Sequence, residues 1–177
     1  DQLTGLRNNT SYIRMLNQLL EHPVPVGVAF ADLNGLKYLN DTYGHEYGDQ
    51  ALRHLAEVSM EYFAKDQLYR ISGDEFVIIC PEVQEEVFIR QAQLLKERLK
   101  QEEQGLAAFG YLWNDGTTAA DSLLHGAERL IYQEKQQHYR DSARRVQKCP
   151  FCIYKINNIN FIFRIYKKII KIIRNNT

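Results

Sequence analysis

The stretch Arg70–Ile79, RISGDEFVII, decides how this chain is read. Its second half, Phe76-Val77-Ile78-Ile79, is an unbroken apolar run of the kind that fills a strand buried on both faces. Directly before it stand two adjacent carboxylates, Asp74 and Glu75, preceded by Ser72-Gly73. Together with the residues upstream, QLYRISGDEFVIICP reads as two short strands around a tight Ser72-Gly73 turn. The hairpin therefore carries a pair of acids to the mouth of a buried strand.

Outward from the hairpin, VPVGVAFADLNG (Val24–Gly35) is a second apolar run with Pro and Gly at its edges, a buried central strand ending on Asp32. Leu3–Leu20 has helical spacing at Ile13, Leu16, Leu19 and Leu20 behind a Thr4-Gly5 start. A helix beginning near Leu36, a Gly-rich interruption at Gly44–Gly48 and a second helical run to Phe63 follow the Asp32 strand. Glu82–Gln104 reads as an amphipathic helix with Val87, Leu94, Leu95 and Leu99 on one side. GLAAFGYLWNDG is a strand whose Phe109, Tyr111 and Trp113 form a stripe for core or dimer surface, and TAADSLLHGAERLIYQEKQQHY is a closing helix. This order predicts an α/β sandwich with a mixed or antiparallel sheet rather than a βαβ repeat.

At 177 residues the chain suits one domain plus an appendage. Residues 1–141 hold 13 Lys/Arg and all 22 Asp/Glu, whereas residues 142–177 hold nine basic and no acidic residues. An acidic body argues against nucleic acid as a partner, because phosphate-backbone binding needs a basic face. The tail, 148–177, is almost wholly Ile, Asn, Lys, Phe, Tyr and Arg. Ile165, Ile169, Ile172 and Ile173 share one helical side and Lys167, Lys168, Lys171 and Arg174 the other. Such a segment can lie on an anionic membrane; a non-native end or a frayed peptide has the same composition. Cys80, Cys149 and Cys152 cannot all pair, so a reducing cytoplasmic setting is expected. Cys149-Pro150-Phe151-Cys152 lacks the strand-then-helix setting of a redox pair and a second CxxC for zinc. A chain opening on DQLTGL without methionine is expected to be cut from something longer.

Asp32 at one strand end and Asp74 with Glu75 at a neighbouring turn would repel by roughly 4 kcal/mol per pair at about 4 Å and an effective dielectric near 20. A divalent cation offsets that, and oxygen ligands without His or Cys favour Mg²⁺ or Mn²⁺. Mg²⁺ on one or two carboxylates commonly shares substrate phosphates, which points to nucleotide chemistry. Solvated strand-end acids would show the same spacing, so spacing leaves both readings open. Gly35 sits where backbone N–H groups can approach a phosphate at a helix start, with Lys37 nearby for charge. Asn40 and Asp49 offer an amide and a carboxylate to a purine edge, and guanine's N1–H and 2-amino donors suit the carboxylate. Lys37 and His45 have commoner roles as a solvated cation and a loop cap.

DQLTGLRN, DLNGLKYLNDTYGHEYGDQAL, RISGDEF and ADSLLHGAERLIYQEK, in this order, resemble the GGDEF family of diguanylate cyclases over roughly Asp1–Tyr139. The resemblance implies a domain over residues 1–147 with a nucleotide-cyclase or polymerase-palm-like (ferredoxin-like) sandwich, its central sheet mostly antiparallel and flanked by helices. It implies Asp32, Asp74 and the Leu33 carbonyl as Mg²⁺ ligands, with Glu75 supporting a second metal or deprotonating the nucleophile. The backbone of Asn34, Gly35, Leu36 and Lys37, the Lys37 ammonium, Gly73 and Lys135 would surround the phosphates, and Asn40 and Asp49 would read guanine. Two domains, each with one GTP, would form a homodimer producing cyclic di-GMP in the bacterial cytoplasm, under an upstream sensory domain outside this chain.

The sequence departs from the family pattern in four places. Ser72 replaces the first glycine, and if that position needs positive φ the serine costs roughly 1–2 kcal/mol. Its hydroxymethyl group is expected to lower turnover more than binding. Asn9 replaces an arginine near the first motif, and Tyr139 occupies another arginine place beyond Lys135. Phe63-Ala64-Lys65-Asp66 stands for the Arg-x-x-Asp that binds inhibitory product, so weak or absent product inhibition is expected. A degenerate module that binds GTP or a protein partner and regulates an attached domain is the alternative to an active cyclase.

Overall fold

The structure, a computed structural model, describes residues 1–102 and 106–117, all within the unit Asp1–Glu134. The elements are β1 (Arg7–Asn8), α1 (Asn9–Glu21), β2 (Val26–Leu33), α2 (Leu36–Tyr43), α3 (His45–Met60), a 3-10 turn (Lys65–Gln67), β3 (Leu68–Ser72), β4 (Glu75–Pro81), α4 (Glu85–Gln101) and β5 (Ala107–Asn114). The expected closing helix with Lys135 and Tyr139, the boundary at residue 147, and the tail with Cys149 and Cys152 lie outside the described residues.

The five strands form one sheet in the order β1-β3-β4-β2-β5. Among the described residues only the short β1–β3 pair is parallel; β3–β4, β4–β2 and β2–β5 are antiparallel, so the sheet is mostly antiparallel as expected. Both faces are covered, and alternation along the strands sorts the core. Ala29, Ala31 and Leu33 of β2 and Phe76, Ile78 and Cys80 of β4 pack against α3 and α4, through Leu52, Leu55, Phe88, Leu95 and others. Val26 and Val28 of β2 and Val77 and Ile79 of β4 take the other face with Tyr12 of α1 and Tyr69 of β3. The β4 run is apolar throughout because both of its faces are buried.

Phe88 lies directly over Gly27: a Cβ built on Gly27 would stand 2.2 Å from Phe88 ring atoms. Glycine is required there by close approach of α4 to β2. Phe88 is fully buried and neighbours the Phe63 and Tyr111 rings, at centroid distances of 6.0 and 6.5 Å. The loop between β4 and α4 is pinned by Trp113, whose Nε1–H donates to the Val83 carbonyl at 2.9 Å.

Three local expectations need correction. The first helix begins at Asn9 instead of Leu3, because the Asn8 side chain caps it by accepting the Ser11 N–H, while Asp1–Leu6 forms a turn with Gly5 at φ +71°. The buried face of α4 is Phe88, Ala92, Leu95 and Leu99; Val87 and Leu94 point outward, 47% and 51% exposed. The break between α2 and α3 is confined to Gly44, and Gly48 is helical.

Candidate active site

Asp32 and Glu75 are direct cross-strand partners on β2 and β4. The Leu33 N–H donates to the Asp74 carbonyl at 3.0 Å, which makes the next pair the hydrogen-bonded one. Asp32 and Glu75 thus form a non-hydrogen-bonded pair, the arrangement that brings Cβ atoms to about 4.5–5.5 Å. Alternation puts both side chains on one sheet face, continuing the row of Val28 with Val77 and Ile79. Glu75 is only 8% exposed. Two like charges opposite one another, one of them buried, favour a cation between them.

Asp74 occupies the hairpin loop between these strands. Ser72 pairs with Glu75, so the two loop residues are Gly73 and Asp74, which moves the expected Ser72-Gly73 turn by one residue. Ser72 closes β3 after a bulge between Arg70 and Ser72. Neither Ser72 nor Gly73 has positive φ, and a Cβ on Gly73 would meet nothing within 4 Å. The serine therefore carries no backbone strain, and the conditional 1–2 kcal/mol does not arise.

The turn is held by Arg70. Its Nε and Nη2 both donate to the Gly73 carbonyl, at 3.0 and 2.8 Å, and Nη1 donates to Asp1 Oδ1 at 3.2 Å. Asp1 Oδ1 also accepts from the Thr4 N–H and hydroxyl, so the first turn of the chain and the hairpin share one carboxylate. Burial lowers the Arg70 pKa, while the charges of Asp49 and Asp74 oppose that shift. The guanidinium is thus within electrostatic reach of both carboxylates. Sequence reasoning gave Arg70 no role; its position just ahead of a turn that carries two acids is the signal that could have found it.

At the other wall, Gly35 (φ +74°) ends β2's loop and leads into α2. Left-handed backbone explains the glycine, since a Cβ there would meet nothing within 4 Å. The Asn34 N–H donates to the Leu106 carbonyl at 3.0 Å, and Gly35, Leu36 and Lys37 follow it at the start of the helix. Lys37 is exposed on the first turn of α2 and Leu36 packs on the core. Asn40, one turn on, lies against Gly48 of α3, and Asp49 follows. Of the other positions singled out, Phe63 is buried at 3% exposure, so the first place of the Arg-x-x-Asp pattern points into the core.

Among the described residues, no three His, Cys, Asp or Glu groups already form a cluster able to hold a metal. The Asp32–Glu75 pair with Asp74 beside it fits an ion held by few protein oxygens, as Mg²⁺ is when it keeps water or phosphate ligands. No helix among the described residues is long and apolar enough to cross a membrane.

Residues 1–141 match the family described as "Diguanylate cyclase, GGDEF domain". Diguanylate cyclase DgcS of Shewanella oneidensis is 33% identical over 149 residues, covering 76% of this chain and 49% of the relative. Cyclic di-GMP phosphodiesterase PdeR of Escherichia coli is 32% identical over 103 residues, covering 56% of this chain and 16% of the relative. The chain thus spans under half the length of either. The crystal structure of the coiled coil and GGDEF domain of DgcB from Caulobacter crescentus, in complex with c-di-GMP, superposes with a TM-score of 0.65. That likeness, at 22% identity over 77% of this chain and 80% of the other, concerns the fold. With its acid pair opposed across β2 and β4 and the match running through residue 141, the chain belongs to the GGDEF domain family.

Proposed function

We propose that this domain binds GTP with a divalent cation and, facing a second copy of itself, condenses two GTP into cyclic di-GMP and two pyrophosphates. The observation that carries the reading is Asp32 directly opposite Glu75, beside the Asp74 turn, in a chain of this family. Asp32, Asp74, Glu75 and the Leu33 carbonyl are the oxygens that would hold Mg²⁺ or Mn²⁺. When bound, the ion supplies Lewis acidity at the α-phosphate and acidifies the attacking hydroxyl.

The chain's own residues do the rest. Glu75, buried on the sheet face, supports a second ion or takes the 3′-hydroxyl proton. The N–H groups of Gly35, Leu36 and Lys37 and the Lys37 ammonium meet phosphate at the start of α2. Asn40 and Asp49 meet the guanine edge, while Gly73 leaves the turn open to phosphate. Each 3′-oxygen forms a bond to the α-phosphorus of the other nucleotide, and the α–β bridging P–O bond breaks with pyrophosphate leaving. Two such transfers close the ring. One domain carries one GTP, so a homodimer is required. The setting is cytoplasmic.

The second reading is a GGDEF module that binds GTP or a protein partner without turnover and regulates an attached domain. Ser72, at the place of the first motif glycine, favours it. Purified protein with GTP and Mg²⁺, analysed by chromatography with mass detection, separates the two. Cyclic di-GMP above an Asp74→Ala control is expected; saturable GTP binding without product overturns the cyclase reading in favour of the second.

A further inference from the structure

We infer that Gly48 is a specificity-determining position of the nucleotide site: it leaves the slot on α3 in which the Asn40 amide sits, and so sets where that amide meets the base. This rests on the proposed contact of Asn40 with guanine. A Cβ built on Gly48 would stand 1.9 Å from Asn40 Oδ1 and 2.9 Å from its Cγ, with Leu36 Cδ1 at 3.0 Å. Gly48 has ordinary helical φ and is buried. Room for Asn40, rather than backbone freedom, is what its missing side chain supplies.

Two further observations support the slot. Asn40 Oδ1 is buried with no hydrogen-bond partner among the described residues, an arrangement that is rare in protein interiors and costs free energy. The α2–α3 elbow is also built to bring the two positions together. Gly44 has φ +89° and ψ 162°, backbone that glycine alone adopts readily, and its N–H donates to the Asn40 carbonyl at 3.0 Å. The elbow folds the first turn of α3 back onto the last turn of α2, and Asn40 faces Gly48 across it. A methyl group at residue 48 has to push the amide out of this slot, because Asn40 Oδ1 is the atom it meets first.

The test compares GTP and ATP binding by calorimetry for the parent, Gly48→Ala, Asn40→Ala and the double variant, with melting temperatures for all four. Gly48→Ala is expected to weaken GTP roughly tenfold, the equivalent of one hydrogen bond of about 1.4 kcal/mol, and to leave ATP unchanged. In the Asn40→Ala background the same change is expected to cost nothing further, the non-additivity that marks residues acting as a unit. Equal weakening of GTP and ATP, or losses that add in the double variant, would overturn the inference. If Gly48→Ala alone fails to fold, the double variant, freed of the 1.9 Å contact, is expected to fold and melt near Asn40→Ala; a double variant that also fails to fold overturns the inference. Asn40→Ala binding GTP as the parent does would sink the guanine contact itself. Loss in Asn40→Ala with none in Gly48→Ala would sink only the role of Gly48.

Discussion

Replacing Arg70 with alanine separates a structural arginine from one that holds the Asp74 turn in place for the proposed reaction. The substitution removes two donors from the Gly73 carbonyl, at 3.0 and 2.8 Å, and one from Asp1 Oδ1 at 3.2 Å. The Arg70 side chain is 14% exposed and that of Asp1 25%, so the acceptors left behind are partly hydrated. Charge-assisted bonds contribute about 1.5–3 kcal/mol when buried and exposed ion pairs about 0–1, which puts the loss at about 1–2 kcal/mol. For a domain of this size that lowers the melting temperature by about 5 °C. The effect on turnover is expected to be larger, because the carbonyl released belongs to the residue before Asp74. Misplacing reacting groups by about 1 Å costs on the order of a hundredfold. Arg70→Lys is expected to recover little, since an ammonium cannot make the forked contact. The assay is product formation well below the melting transition, alongside thermal unfolding. Turnover in Arg70→Ala equal to the parent, or full rescue by lysine, would refute the idea that this guanidinium positions the turn.

Other consequences follow from the packing. Gly27→Ala forces a Cβ to within 2.2 Å of the Phe88 ring, which is boxed in by Phe63 and Tyr111; a loss of about 3 kcal/mol and about 10 °C in thermal unfolding is expected. Glu82 has φ +55° in an exposed loop, so Glu82→Gly relieves a left-handed non-glycine and is expected to raise the melting temperature by a few degrees. Burial, with a smaller effect of the Asp66 charge, pushes the Cys80 thiol up to about 12. It should resist alkylation at pH 8 in folded protein and react only on unfolding, read by mass after Cys149 and Cys152 are replaced by serine. Because the folded pKa is the higher one, this group's stabilisation is complete below the unfolded value of about 8.5 and is lost as pH rises towards 12. Cys80→Ala should flatten that part of the alkaline unfolding curve.

The parts of the fold legible in the sequence were those written in local pattern. The apolar run Phe76–Ile79 and the run before Asp32 announced two central strands, and their pairing places the acids opposite one another. What the sequence hid depended on distant contacts. Arg7–Asn8 is a strand only because β3 lies beside it, which is why the helical pattern alone places the start of the first helix too early. On α4, Val87 and Leu94 are as apolar as the residues that are buried. Phe88 is selected for the core because Gly27, some sixty residues away in sequence, leaves room for its ring. Whether Ser72 needs a positive φ is a backbone property that its identity cannot reveal, and its φ is not positive. The sequence assigns Arg70 and Gly48 no site role because their partners, Gly73 O and Asn40 Oδ1, emerge only when hairpin and helix elbow are folded.

The central claim is that Asp32, Asp74 and Glu75 jointly drive condensation of two GTP between two copies of the domain. Simultaneous quantification of pyrophosphate and cyclic di-GMP over a range of protein concentrations, for the parent and Asp32→Asn, tests it most directly. The account predicts two pyrophosphates per cyclic di-GMP, a rate per protein that rises with protein concentration, and loss of both products in Asp32→Asn. Pyrophosphate without cyclic di-GMP, or an Asp32→Asn variant as active as the parent, would contradict it.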